Sequence, residues 1–118
     1  MAVDNYVLGA AILDEKPPAD IGTRENGPAT LRNKPDVILY VKNSFAYMHR
    51  AATAIDDAKA TIPSPDIAVW PEGTATRLGL AIEDCVHTWD HYGQLVEYLR
   101  MNGIVLSQSR PAVHSGKM

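Results

Sequence analysis

The amino-acid sequence predicts an all-α protein, and three observations support this prediction. The chain has 118 residues, of which 46% are hydrophobic, so it is long enough for one domain with a buried core. Its apolar residues recur at steps of three and four along two long stretches, which is the spacing of one helix face. Segments rich in proline and glycine separate these stretches. We therefore expect one helical bundle over residues 1–105 and a flexible tail over residues 106–118.

The first predicted helix covers residues 2–13, with the sequence AVDNYVLGAAIL. Its apolar residues follow a helical period, but this length holds only about three turns. The next segment, DEKPPADIGTRENGPATLRNK over residues 14–34, contains three prolines and two glycines. Such a composition predicts a connecting loop, and a loop of this length either has a function or is loosely ordered.

A second helix is predicted over residues 35–61. Pro35 suits a first helical position, and Asn33 is a candidate cap just before it. Pro63 and Pro65 forbid continuation beyond the end of this segment. One apolar stripe along the helix should form a core seam. Its members are Ile38, Val41, Phe45, Met48, Ala52 and Ile55.

The last predicted helix covers residues 74–102 and should end at Gly103, a residue suited to a left-handed cap. Its main apolar stripe should also face the core. The members of this stripe are Leu78, Ile82, Cys85, Trp89, Tyr92, Val96 and Leu99. We expect Cys85 to be a buried, inert thiol and Trp89 to lie in the core or in an interface. Trp70, beside Pro71, is expected to plug the end of the bundle.

Two long helices and one short helix form an incomplete set, because antiparallel bundles usually bury their seams among four helices. Self-association into a homodimer is the simplest way to cover an exposed seam. The net charge of −3, without a basic cluster, argues against nucleic acid as a partner. No apolar run is long enough to span a membrane, and the N-terminus lacks the features of a signal peptide. One cysteine fits a reducing compartment, so the cytoplasm is the expected location.

Two histidines in the last helix, His87 and His91, are the candidate metal ligands. Residues four apart on a helix lie on one face, so both rings can point at a common ion. Two histidines on a mostly polar flank are also common as solvated or hydrogen-bonded residues, and that alternative stays open. No phosphate-binding glycine loop or nucleophile motif is present, so the catalytic residues are unknown.

A catalytic metal site needs at least three protein ligands, and the third is not evident from the sequence. Asp84 shares a face with both histidines and is one candidate. His49 borders the seam of its own helix, where packing or pairing is the simpler role. His114 lies in the polar tail and is a poorer candidate. An imidazole set suits zinc, nickel, iron or copper almost equally.

Three segments of the chain resemble the DinB/YfiT-like superfamily. TRLGLAIEDCVHTWDHYGQLVEYLRMNGIV, residues 76–105, resembles the last helix of that family and carries its H-x3-HYGQ pattern. SFAYMHRAATAIDD resembles the third helix, and AVDNYVLGAAILDEKPP the second half of the second helix. The resemblance implies an up-down four-helix bundle that lacks its first helix and part of its second in this chain.

The resemblance also implies a divalent metal held by three histidines, one from the second helix and two from the last. His87 and His91 match the two late ligands, and the early histidine would stand at or before Met1. Members of the family are commonly dimeric and damage-inducible, and include thiol S-transferases and isomerases that act on small molecules. We therefore expect a metal-dependent enzyme of S-transferase or hydrolase-like type with an incomplete histidine site. The alternative is a truncated, non-catalytic bundle without metal that acts as a dimeric binding or stress-response module.

Overall fold

The chain is all-α in the computed structural model, which describes residues 1–23, 26–67, 70–107 and 110. Four helices follow one another along these residues: α1 (Ala2–Leu13), α2 (Lys34–Thr53), α3 (Asp57–Ala60) and α4 (Arg77–Met101). Only isolated bridges between extended residues accompany them in the described ranges. The prediction of an all-α protein is therefore confirmed, and α1 has the predicted bounds.

Side-chain caps explain where the long helices begin. The side chain of Asn33 accepts a hydrogen bond from the backbone N–H of Asp36 at 2.9 Å, with Pro35 in the first turn of α2. At the start of α4, Oγ1 of Thr76 accepts from the N–H of Gly79 at 3.1 Å. Each bond satisfies an N–H group that has no partner within the helix. Helix α4 begins at Arg77, three residues after its predicted start, because Thr76 is its N-cap residue.

The second helix is shorter than the sequence predicted: α2 ends at Thr53 and not near residue 61. Asp56 takes an extended conformation and caps a separate helical turn, α3, by accepting from the N–H of Lys59 at 2.9 Å. An extended residue cannot continue an α-helix, so this cap divides the predicted helix in two. The last helix ends as expected, with Gly103 at φ 72 immediately after the cap residue Asn102.

The short helix α1 is the centre of the fold, because it packs against both α2 and α4. Its buried residues make one cluster with apolar residues of both long helices. The buried members of this cluster are Leu8, Ala11, Ile12, Met48, Ala51 and Leu80. A Cβ atom added to Gly9 would lie 2.8 Å from Cε1 of Tyr47, so α1 and α2 approach too closely here for a larger residue. Arg77 donates a hydrogen bond to the carbonyl of Ile12 and so ties the end of α1 to the start of α4.

The predicted core stripes of the long helices are largely exposed, which corrects the sequence analysis. Met48 is buried, but several of the largest apolar residues of the two stripes face away from α1. These exposed residues are Ile38, Phe45, Leu78, Ile82, Trp89 and Tyr92. The faces that α1 covers are different ones. Their buried members are Ser44, Tyr47, Met48 and Ala51 in α2 and Leu80 and Asp84 in α4. The ring of Tyr47 fills the space beside Gly9 of α1. Asn5 of α1 lies within hydrogen-bond distance of both Ser44 and Asp84. These contacts turn the two faces toward α1, so the predicted stripes remain outside.

The structure also tests three expectations about single residues. Cys85 is exposed and not buried, because it belongs to the α4 stripe that α1 leaves uncovered. Trp89 is 71% exposed and therefore lies outside the core of the chain. Trp70 is partly buried and packs against the main apolar cluster.

The long connection between α1 and α2 contacts the helices at defined points. The hydroxyl of Tyr40 donates to the carbonyl of Asp20 at 2.9 Å, and Asp20 also accepts from the N–H of Gly22 at 2.8 Å. Most of the predicted tail, residues 108–109 and 111–118, lies outside the described residues, and His114 with it. Among the helices that the structure describes, none combines the length and the apolar character needed to cross a membrane.

Candidate metal centre

Three side chains from two helices meet beside the N-terminus of α1: Asp4 from α1, and His87 and His91 from α4. Nε2 of His87 lies 3.0 Å from Nε2 of His91 and 3.2 Å from Oδ2 of Asp4. The two imidazole rings are perpendicular, with centroids 4.5 Å apart. One donor atom from each residue lies within 4.8 Å of the other two, so the three could hold a metal ion together.

The packing of α4 on α1 brings this cluster together. Leu80, Asp84, His87 and His91 follow one another at steps of four, three and four, so they lie on the α4 face that contacts α1. Leu80 is fully buried there and fixes the depth of the contact. Asp4 lies in the first turn of α1, where a carboxylate is favoured by the unpaired N–H groups of the helix end.

The structure brings together His87 and His91, the two residues that the sequence singled out, but neither Asp84 nor His49, the two candidates for the third ligand that lie in the described part of the chain. Asp84 is buried one turn earlier on α4 and is not part of the cluster. His49 lies with Asp84 along a groove between α2 and α4. His114 falls in the part of the chain that the structure leaves undescribed.

The residue that sequence reasoning missed is Asp4. It lies 83 positions before His87, and no spacing rule connects residues so far apart. One signal was available: a carboxylate in the first turn of a short apolar helix, close to the place where the family resemblance puts its early histidine. The carboxylate of Asp4 is the third donor of the cluster that the structure describes.

Burial and nearby charges lower the pKa values of two of the three donors, Asp4 and His91. Partial burial alone would raise the pKa of Asp4, but a hydrogen bond from the amino group of Met1 and the nearby His87 bring it below its ordinary value. Burial lowers the pKa of the His91 imidazole, and the same amino group and His87 lower it further. A carboxylate and an uncharged imidazole are the forms that bind metal ions.

Asp84 connects the cluster to the interior of the bundle. In the amide orientation that satisfies its neighbours, the buried Asn5 donates to Oδ1 of Asp84 at 3.1 Å and to the carbonyl of Met1 at 2.8 Å. The Oδ1 atom of Asn5 then lies 3.2 Å from Oγ of the buried Ser44. Burial raises the pKa of Asp84 to about 6, and the charge of Asp4 adds to this effect. Asp84 can therefore exchange a proton close to neutral pH.

Two of the three donor separations in the cluster suit a shared divalent ion. Two atoms that each bind one ion at about 2.1 Å lie roughly 3.0–3.4 Å apart, and the separations of 3.0 and 3.2 Å fall within this range. Two imidazoles with one carboxylate form a ligand set that zinc and ferrous iron both accept.

Comparisons of the chain with protein-family models, with curated proteins and with solved structures found no match.

Proposed function

We propose that this chain is a divalent-metal-binding helical domain of DinB/YfiT-like type, in which Asp4, His87 and His91 hold the ion. The observation that carries the proposal is the convergence of one carboxylate and two imidazoles from different helices within 4.8 Å. The resemblance of residues 76–105 to the last helix of that family supports it independently, since both histidines belong to the resembling segment.

The three ligands would leave positions on the ion for a small molecule, as in metal-dependent enzymes of the S-transferase or hydrolase-like type. A divalent ion in such a site lowers the pKa of a thiol or water that binds to it. The cluster is half-buried, so a small molecule can reach it from solvent while α1 shields its inner side. One cysteine in 118 residues fits a protein of the reducing cytoplasm.

In this proposal, Asp4, Asp84 and Asn5 each have a separate role at the site. Asp4 supplies negative charge at the ion, and its place in the first turn of α1 keeps the carboxylate oriented. Asp84 accepts or releases a proton at its carboxyl group, because its pKa of about 6 lies close to neutral pH. Asn5 holds Asp84 in place through the hydrogen bond to Oδ1. This division assigns proton transfer to a residue that is not itself a ligand.

Metal content per chain, measured by elemental mass spectrometry after loading with zinc and removal of excess ion, tests the proposal. We expect close to one ion per chain for the wild type and none for the His87→Ala/His91→Ala double variant. Asp4→Asn keeps the size of the side chain and removes the charge, so it should weaken zinc binding by more than about tenfold. His49→Ala is the matched control, because it removes a histidine of α2 that lies outside the cluster.

The zinc content of His49→Ala shows whether zinc loss in the double variant is specific to the cluster. Equal zinc loss in His49→Ala and in the double variant would show non-specific binding to histidines and would contradict the site. Wild-type protein that is folded but binds no zinc, nickel or ferrous iron would contradict it as well. The chain would then be better described as a non-catalytic binding or stress-response module.

A further inference from the structure

The groove between α2 and α4 has the size of a site for a small molecule. Its volume is about 280 Å³, near the lower end of the range found for ligand pockets. Phe45 and Met48 line it from α2, and Ala81, Cys85 and Trp89 line it from α4. Aromatic rings and a thioether suit an apolar ring as the main part of a ligand.

A carboxyl group lies against this apolar groove. Asp84 lines the groove, although its side chain is only 6% exposed. Asn5 donates to Oδ1 of Asp84 from the α1 side, and no other hydrogen bond to this carboxyl group is found among the described residues. The second oxygen, Oδ2, is therefore left without a protein partner. Burying a polar atom without a partner costs free energy, so Oδ2 favours a ligand that donates a hydrogen bond.

A second polar atom without a partner lies one turn further along α4. Thr88 also lines the groove, and its Oγ1 is a buried atom for which the described part of the chain provides no hydrogen-bond partner. Residues four apart lie on one helix face, so Thr88 follows Asp84 along the same side of the groove. The two side chains offer a charged and an uncharged acceptor to one group of a ligand. A primary ammonium group carries three N–H donors and can bond to both.

The charge of the groove favours a cationic donor over an uncharged one. Among the described lining residues, Asp84 is the only acidic residue, and His49, the only basic one, forms no ion pair with it. Burial raises the pKa of Asp84 to about 6, so the group is a carboxylate near pH 7.5. An opposite charge stabilises a carboxylate in apolar surroundings. The ring of Trp89 adds to this preference, because aromatic faces attract cations.

We propose that this groove binds a small aromatic amine, with the ring against Phe45 and Trp89 and the ammonium group on Asp84 and Thr88. The proposal does not depend on metal binding, because none of the residues that line the groove belongs to the candidate metal centre. A chelator in every titration keeps the protein free of metal. Failure of amine binding and failure of metal binding are therefore separate outcomes.

Titration of isotope-labelled protein near pH 7.5, followed by two-dimensional NMR, tests the proposal. Three probes share an indole ring on a two-carbon chain and differ in the end group: tryptamine carries an ammonium, tryptophol a hydroxyl and indole-3-propionate a carboxylate. Tryptamine should bind with a dissociation constant below about 1 mM, and tryptophol about tenfold more weakly or worse. Indole-3-propionate should bind most weakly of the three. A wild type that does not bind tryptamine, or that binds the three probes equally, would overturn the proposal.

Asp84→Asn tests the role of the carboxylate, because it keeps the shape of the side chain and removes the charge. It should weaken tryptamine binding about tenfold or more and leave tryptophol binding within about twofold of the wild-type value. Asp90→Asn is the matched control, since Asp90 is an exposed residue of α4 that does not line the groove. Its affinity for tryptamine should stay within about twofold of the wild-type value. Equal weakening in both variants would show attraction to the general negative charge of the chain and would contradict the site.

Two further measurements locate the ring of the ligand in the groove. Ala52 is exposed and lines the groove from α2, so Ala52→Leu should fold normally, as circular dichroism checks, and fill part of the space. It should weaken tryptamine and tryptophol binding alike, by about tenfold. Cys85 is exposed in the same groove, so saturating tryptamine should slow its reaction with an aromatic disulfide reagent in the wild type. Unchanged affinity in Ala52→Leu, or a labelling rate that tryptamine does not alter, would overturn the proposal.

Discussion

Replacing Asp84 by asparagine should make the protein more stable at neutral and alkaline pH. The side chain is only 6% exposed, and its pKa rises from 3.8 to about 6, mainly through burial. Folding therefore favours the protonated carboxyl. The resulting stability is fully present below pH 3.8 and is lost as the pH rises through about 6. At ~1.4 kcal/mol per pH unit, the ionised carboxylate costs roughly 2 to 3 kcal/mol.

Asparagine keeps the shape of the side chain and an oxygen that can accept the hydrogen bond from Asn5, but it does not titrate. We expect Asp84→Asn to match the wild type near pH 4 and to exceed it by roughly 2 to 3 kcal/mol near pH 8. Urea denaturation followed by circular dichroism, with a chelator present, measures both limits. Asp90→Asn, an exposed position on α4, should change stability little at either pH. The reasoning would be refuted if the wild type were less stable than Asp84→Asn by the same free energy of unfolding at both pH values.

Two further pairs of substitutions test the packing and capping of the helices. Gly9→Ala should destabilise the fold by roughly 1–3 kcal/mol, because its methyl group would meet the ring of Tyr47 at 2.8 Å. Gly93→Ala has open space around the new methyl group and should stabilise the fold by about 0.5–1 kcal/mol. If urea denaturation showed Gly9→Ala to be more stable than Gly93→Ala, it would contradict the close contact between Gly9 and Tyr47. Asn33→Ala removes the acceptor for the N–H of Asp36 and should cost about 1 kcal/mol. Thermal unfolding should show this loss, and Asn33→Ser should recover most of it; no recovery would point to a role other than capping.

The sequence was informative where local spacing determines the structure. The bounds of α1, the caps at Asn33 and Gly103 and the all-α class follow from turn and helix preferences that act over a few residues. The same reasoning predicted the wrong buried faces for both long helices. It assumed that the most apolar stripe meets the core, whereas α1 contacts the faces that carry Tyr47 in α2 and Asp84 in α4.

The candidate metal centre shows the same division between local and distant information. The pairing of His87 with His91 is a property of one helix and can be read from the spacing. Asp4 joins them only because α1 packs on α4, and Asp84 is kept out because it points at Asn5. Which carboxylate reaches the histidines depends on how two helices rotate against each other, and neither helix alone encodes that rotation.

The sequence distance between Asp4 and His87 has a consequence for the order of folding. Bringing together residues 83 positions apart costs about 4 kcal/mol of chain entropy, so the docking of α1 on α4 should be a late step. Before that step, α4 alone already presents both imidazoles, and the carboxylate is still absent. A metal ion would therefore bind weakly to the chain before α1 docks on α4 and tightly to the fully folded protein. The bound ion would lower the rate of unfolding and leave the rate of folding unchanged, so it would increase the kinetic stability of the folded protein.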